Sequence, residues 1–314
     1  MKLGIVVVYL VDEADEDLLD LHLALIREHT EVPYMIYGSV NRLLPRFVPK
    51  LEADPKVKIC PCPDTPLRGY EEHAYYLELL IAQAIEEGVS HVALLNVDSF
   101  PIRRGWAREM AGRLSLDRVL CAVMRTENDD RKPHPSGMLF PRDFYLERRP
   151  TILLSEEELR SEEFAQYRRE TDVVVDTGIG YGFKLYAEKL GWEPLERSNL
   201  AEDHYIIGSM YGDLVFHLGG AARGAKFHIR ERRRIDEHRD RNVFSRSTAR
   251  FIKFGSRFVP LGMRKRLRPL IASRAARSAQ AESQEAYDRA RAELLRDPEA
   301  FFSYLRTGVR TEIS

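Results

Sequence analysis

The sequence predicts an α/β chain: a mostly parallel sheet flanked by helices, followed by a basic, mainly helical C-terminal extension. Three observations carry this. Short apolar runs rich in β-branched residues alternate three times with helix-like segments before a fourth such run, as strands joined by crossover helices do. The chain has 314 residues, 44% hydrophobic and 31% charged, enough for one large α/β domain with an appendage or for two domains. Charge is also unevenly placed. The whole chain carries −1, yet residues 223–277 hold 18 basic residues against four acids, a balance of +14.

Residues 3–10 read as the first strand. They meet Asp12, Glu13, Asp15, Glu16 and Asp17 with no small-residue cleavage site, so a leader is not expected. Residues 15–29 set Leu18, Leu19, Leu21, Leu25 and Ile26 at helical spacing, with acids in the first turn to complement the macrodipole. Residues 33–37 form a second strand. A short helix over 41–51 is limited by Pro45 and Pro49. A third strand spans 56–60, and the proline-rich 61–69 is a loop. Residues 70–87 form a helix that stops at Gly88. The fourth strand, 91–98 (HVALLNVD), is apolar throughout, as a strand buried on both faces should be.

Past Asp98 the pattern loosens. A helix is expected over 106–114, a strand over 119–125, a polar loop over 127–137 and a short strand over 137–140. Residues 151–170 are charged and surface-covering, residues 173–175 lead into DTGIGYG, and residues 181–190 read as a helix. A final strand over 214–217 opens onto Gly219 and Gly220. No apolar run approaches the ~20 residues of a membrane-spanning helix. Cys60, Cys62 and Cys121 suggest neither a disulfide framework nor a zinc site, and an intracellular, cytoplasmic protein is expected.

The chemistry concentrates at strand ends. Open α/β sheets bind ligands beyond the carboxyl ends of their strands. Asp98 sits there, one residue beyond Val97 and two beyond Asn96, and its oxygens suit a hard divalent cation such as Mg²⁺ or Mn²⁺. A capping Asx turn is the alternative. His217 ends another short apolar strand and either supplies a second metal ligand or is a surface histidine. The glycines after it permit close approach of backbone to a phosphate. Asp176 is a general-base candidate or a turn-forming aspartate, and Asp203 competes with it. The spacing of Gly178, Gly180 and Gly182 does not match a phosphate-binding loop. His134 and Ser136 either line the side of a site or belong to a polar loop.

Four stretches in this order resemble the nucleotide-sugar-dependent glycosyltransferases of the GT-A fold, family 2-like. LLNVDSFP at 94–101 looks like that family's metal-binding D-x-D turn, here in an N-x-D form. Residues 73–77, beginning at His73, lie in the helix before it. DTGIGYG at 176–182 and YGDLVFHLGG at 211–220, the latter like the family's late histidine segment, complete the set. The resemblance covers residues 1–225. It implies a GT-A-like, Rossmann-type domain over 1–225 and an extension over 226–314. It further implies a nucleotide-sugar donor, a glycan, lipid-linked or small-molecule hydroxyl acceptor, and a divalent cation (Mn or Mg). Asp98 and His217 would hold the metal. Asn96, Asp98, His73, Gly219 and Arg223 would contact the donor, and Asp176 would act as base. Asn96 removes one negative charge and should weaken metal affinity, although an amide carbonyl still coordinates. A degenerate sugar-nucleotide-binding protein and a nucleotidyltransferase stay open, the second disfavoured by the acidic residues 11–17.

The basic tail interleaves its charge with Phe251, Phe254, Phe258, Leu267 and Ile271. Residues 246–277 suit an anionic membrane surface at the inner face of the membrane, or packing against the acidic body of the chain. Nucleic acid is not the expected partner. A helix over 282–306 is expected to dock on the core or on a second copy of the chain as a homodimer.

Overall fold

The computed structural model describes residues 1–11, 16–128, 130–171, 173–201, 209–219 and 274–310, with backbone only for Asn128 and for 274–283. The chain falls into two compact units, Met1–Ala222 with Leu294–Ser314, and Arg223–Glu293.

Within the first unit β1 (Leu3–Val8), β2 (Tyr34–Ser39), β3 (Val57–Ile59) and β4 (His91–Asn96) run parallel. With β6 (Arg118–Arg125), β7 (Asp130–Pro141) and β8 (Gly191–Leu195) they make a seven-stranded sheet, ordered β3-β2-β1-β4-β7-β6-β8. Strand β7 alone runs against its neighbours. Both faces are covered. Leu3, Ile5 and Val7 of β1 and Ala93 and Leu95 of β4 face α1 (Glu16–His29) and α4 (Trp106–Gly112). Val6, Val8, Val92 and Leu94 face α3 (Tyr70–Glu86), α5 (Arg142–Arg148) and α8 (Ile179–Ala187). A strand filling two cores has no polar face, so β1 and β4 are apolar runs rather than alternating ones. Each fully buried Val, Leu or Ile contributes about 1.5–3 kcal/mol of transfer free energy.

Several expected boundaries shift for identifiable reasons. The 41–51 segment becomes a 3₁₀ turn, Pro45–Phe47, then α2 (Val48–Glu52), with a proline opening each. Residues 151–170 supply α6 (Glu156–Arg160) and α7 (Glu162–Thr171). Phe164 and Tyr167 of α7 are buried, so the segment carries a small core of its own beneath its charge. The expected loop over 127–137 is from Asp130 onward the first half of β7, against which β6 pairs irregularly: Ala122 faces Met138 but Val123 faces His134. That bulge absorbs Pro133 and Pro135, which a regular central strand excludes. Strand β8, an edge strand containing Pro194, had no clear sequence signal.

A second sheet has three strands, β5 (Ser99–Pro101), β10 (Val215–His217) and β9 (Ser209–Tyr211), in that order and antiparallel. The expected turn over 99–101 is thus a strand. The expected helix over 282–306 is two helices, α9 (Arg274–Arg296) and α10 (Pro298–Thr307). Asp297 breaks it by capping α10 through the Ala300 N–H, with Pro298 at the first helical position. Helix α10 packs Phe301 and Phe302 against Phe216 of β10. Among the described residues no helix is long and apolar enough to cross a membrane.

Candidate functional site

The site lies where β4 and β6 end and β7 begins, on one edge of the sheet. Strand β4 ends at Asn96, whose side-chain Oδ1 is buried and lacks a hydrogen-bond partner among the described residues. Two residues on, the chain turns through Asp98 into β5. Strand β10 lies beside β5 with His217 opposite Ser99, and the Leu218 N–H donates to the Asp98 carbonyl at 2.9 Å. Backbone pairing therefore brings together two residues 119 positions apart. The His217 Nε2 lies 3.5 Å from the Asp98 Oδ1, and both side chains are about nine-tenths buried. Gly219 follows with φ 71°, in the left-handed region that glycine adopts at little cost. Gly220, Arg223 and Asp203 lie outside the described residues.

Helix α1 fixes this turn from below. Buried His22 donates through Nδ1 to the Ser99 carbonyl at 3.0 Å and packs edge-on against Tyr9 and Phe100. Burial pushes its pKa down to about 4, against the Ser99 hydrogen bond and the Asp98 charge. His73, in the first turns of α3, is likewise pushed by burial to about 4, against the pull of Asp176 and Asp98. Both imidazoles are neutral at pH 7.

His134 on β7 lies beside His217, ring centroids 5.9 Å apart. Its Nδ1 accepts from the Ser136 N–H at 3.2 Å and lies 2.8 Å from the Ser136 hydroxyl, so the neutral ring carries its hydrogen on Nε2. Burial, then Arg125, His217 and Lys132, hold it well below the ordinary histidine value.

The far side is a frame of buried ions. Lys132, with no exposed side-chain surface, donates to both Asp130 oxygens at 2.6 and 2.7 Å. Arg125, at the end of β6, donates to the same carboxylate and reaches Asp176 at 3.7 Å. The Tyr211 hydroxyl donates to Glu127. Asp176 precedes α8, and its Oδ1 accepts the Thr177 N–H at 2.8 Å. The DTGIGYG glycines serve packing: a Cβ on Gly178 would strike the Pro133 carbonyl, on Gly180 the Thr151 carbonyl, and on Gly182 the Tyr167 hydroxyl. Hence the absence of a phosphate-loop spacing.

The structure thus brings Asn96, Asp98, His217, His73 and Asp176 to one edge. The sequence reading missed Arg125, Asp130, Lys132 and His22. The available signal was Arg125 at a strand end, as Asp98 is, and the alternation of Asp130 with Lys132 that puts both on one face of a strand.

A carboxylate oxygen and an imidazole nitrogen 3.5 Å apart fit two ligands of one Mg²⁺ or Mn²⁺ ion. Among the described residues no group of three or more His, Cys, Asp or Glu converges to hold a metal. An ion here would complete its shell with water or the oxygens of a bound ligand, as such ions do at phosphates.

No family model and no curated protein sequence matches the chain. Partial structural similarity exists to solved glycosyltransferases. The mannosyltransferase PcManGT from Pyrobaculum calidifontis, in complex with GDP-Man and Mn²⁺, is 12% identical over 61% of this chain and 53% of its own, TM-score 0.41. S. aureus TarS 1–349 is 11% identical over 52% of each chain, TM-score 0.35. GlyE of Streptococcus pneumoniae is 15% identical over 65% of this chain and 46% of its own, TM-score 0.36. The chain spans about half the length of each.

Proposed function

We propose that the chain is a glycosyltransferase that moves a sugar from a nucleotide-diphosphate sugar to a hydroxyl acceptor, with a divalent cation at the diphosphate. The observation that carries this is the Asp98–His217 pair at the carboxyl end of β4, built by the pairing of β5 with β10. The cation, when bound, supplies Lewis-acid neutralisation of the departing diphosphate. Asp98 and His217 hold it. Asn96 offers a carbonyl oxygen to the ribose or the ion, His73 a neutral imidazole and Gly219 a close backbone. Arg223 offers a guanidinium to the diphosphate.

Asp176 acts as base. In an inverting transfer the acceptor oxygen bonds to the anomeric carbon while the bond to the diphosphate oxygen breaks, and Asp176 takes the acceptor proton. The Thr177 N–H and the Arg125 guanidinium hold that carboxylate from two sides. A positioned base of this kind contributes typically ~10²–10⁴-fold. The basic, aromatic sequence of 246–277 fits an anionic membrane surface, which makes lipid-linked acceptors the first class to test.

The test is a thermal-shift screen of nucleoside diphosphates and nucleotide-sugars with and without Mn²⁺, followed by assay of diphosphate release with acceptors. A ligand at a hundredfold excess over Kd stabilises the fold by about 2.7 kcal/mol. Metal-dependent stabilisation together with release supports the proposal. Binding without release from any donor favours a non-catalytic sugar-nucleotide-binding protein. No response to any nucleotide or nucleotide-sugar, with or without Mn²⁺, overturns both.

A further inference from the structure

We propose that Glu78 is a positioning residue for Asp176, acting through the backbone of Ile152. The inference rests on Asp176 being the base of the transfer proposed above. Helix α3 brings His73 to the site and, just over a turn later, points Glu78 at the segment after α5. There the Glu78 carboxylate accepts the Ile152 N–H. The Ile152 carbonyl in turn accepts the N–H groups of Gly178 at 3.1 Å and Gly180 at 3.2 Å. The turn closes on itself: the Ile179 N–H donates to the Asp176 carbonyl at 3.1 Å, and the Thr177 N–H to its carboxylate. Gly180 lies so near the Thr151 carbonyl that a methyl group would not fit, so the turn moves when 151–152 moves. A continuous run of hydrogen bonds therefore leads from α3 to Asp176.

A residue that merely filled space here would need no acceptor, whereas Glu78 takes up a backbone N–H. Glu78 lies near Tyr181 of α8 and Tyr145 of α5, and Arg149 at the end of α5 acts on Tyr145. Burial pushes the Glu78 carboxyl up to about 7, with the Ile152 N–H pulling it back. The Tyr181 hydroxyl, buried and without a partner among the described residues, is pushed up by burial and then by Glu78. An ionised carboxylate holds a backbone N–H roughly twice as strongly as a neutral acceptor does. The grip on the turn should accordingly tighten as Glu78 ionises near neutral pH.

Amide exchange at Ile152, Gly178 and Gly180 reads the grip directly. E78Q keeps an acceptor but removes the charge. At pH 8.5 its exchange at 178 and 180 should run about fivefold faster than wild type, and at pH 5.5, where Glu78 is itself neutral, the two should coincide. E78L should exchange fast at both pH values. In transfer assays E78Q should lower kcat at pH 8.5, leave the donor KM unchanged and match wild type at pH 5.5. Wild-type exchange in both variants overturns the proposal, as does altered exchange with unaltered kcat, which would make Glu78 purely structural. A wild type that shows the expected exchange against E78Q but transfers no sugar upholds the coupling and counts only against the transferase reading.

Discussion

Two acidic clusters share the carboxyl edge of the sheet and are built in opposite ways. Beyond β4, one carboxylate, Asp98, faces one imidazole, His217, and the two are set by strand pairing of β5 with β10. Beyond β6, Asp130 sits between two buried cations, Arg125 and Lys132, with Asp176 as a second acid at the rim. The first cluster suits a site, because a divalent ion can use both of its groups. The second neutralises itself and suits a frame. Asp176 is the exception: nearly a third of its side chain is exposed, so its carboxylate can meet a substrate.

The largest expected effect breaks the frame. Asp130→Ala leaves Arg125 and Lys132 buried together without their shared acid, and removing one partner of a buried ion group costs about 3–5 kcal/mol. In the apolar half, Ile5→Val should cost only about 0.5–1.5 kcal/mol. Denaturant unfolding of the two variants measures the contrast. A loss for Asp130→Ala no larger than that for Ile5→Val would show that water already solvates the two cations.

The same contrast explains what could be read from the sequence. β1, α1, α3 and β4 announce themselves because their burial is apolar: LGIVVV and VALL fill two cores, and the helices repeat at 3.6 residues. The first half of β7 was legible only as a loop. Its burial is of Asp130, Lys132 and His134, polar residues whose partners lie on other strands or two residues away. Paired charge buried in a bulge looks in composition like a solvated turn, and only the alternation of Asp130 with Lys132 sets it apart. Asp98 and His217 stood out as residue types at strand ends, but their common strand pairing came only with β5, which in sequence resembles a turn.

Acidification should come next in size and act on the neutral histidines. His22 and His73 have folded values near 4 against an ordinary 6.5, so between those values the unfolded chain binds more protons. Their contribution is complete above about pH 6.5 and is lost as pH falls toward 4, on the order of 3 kcal/mol each. Glu78 runs the other way. Its folded value of about 7 against 4.5 favours folding below pH 4.5, and that contribution fades as pH rises through 7. With His134 shifted in the same direction as the other two histidines, acid should win and stability at pH 5 should lie below that at pH 7. His22→Gln should flatten the profile. A wild type equally stable at both pH values would contradict burial of these neutral rings.

Removing the proposed metal ligand should cost slightly less. Asp98→Ala should abolish the Mn²⁺-dependent part of any nucleotide-induced stabilisation, about 2.7 kcal/mol at a hundredfold excess of ligand over Kd, with the fold intact. Unfolding scans with and without Mn²⁺ check it, and an unchanged metal increment would remove Asp98 from the ion.

The smallest effect probes the one departure in the turn. Asn96 ends β4 in register with Val8 of β1, and its buried Oδ1 lacks a partner among the described residues. If that oxygen faces the ion, Asn96→Asp replaces a neutral carbonyl donor with an anion. Metal affinity should then hold or tighten, by up to about tenfold or 1.4 kcal/mol. The same change should lower stability without metal, because a buried carboxylate beside Asp98 has no cation to offset it. Opposite signs with and without Mn²⁺ are what distinguish a ligand from a bystander. If Asn96 instead meets a ribose hydroxyl, the variant should lose stability equally in both conditions while nucleotide affinity changes without regard to the metal. Titrating Mn²⁺ against wild type and Asn96→Asp, each with and without nucleoside diphosphate, separates the two outcomes. Equal loss of stability with and without Mn²⁺ would leave Asp98 and His217 as the only protein ligands among the described residues.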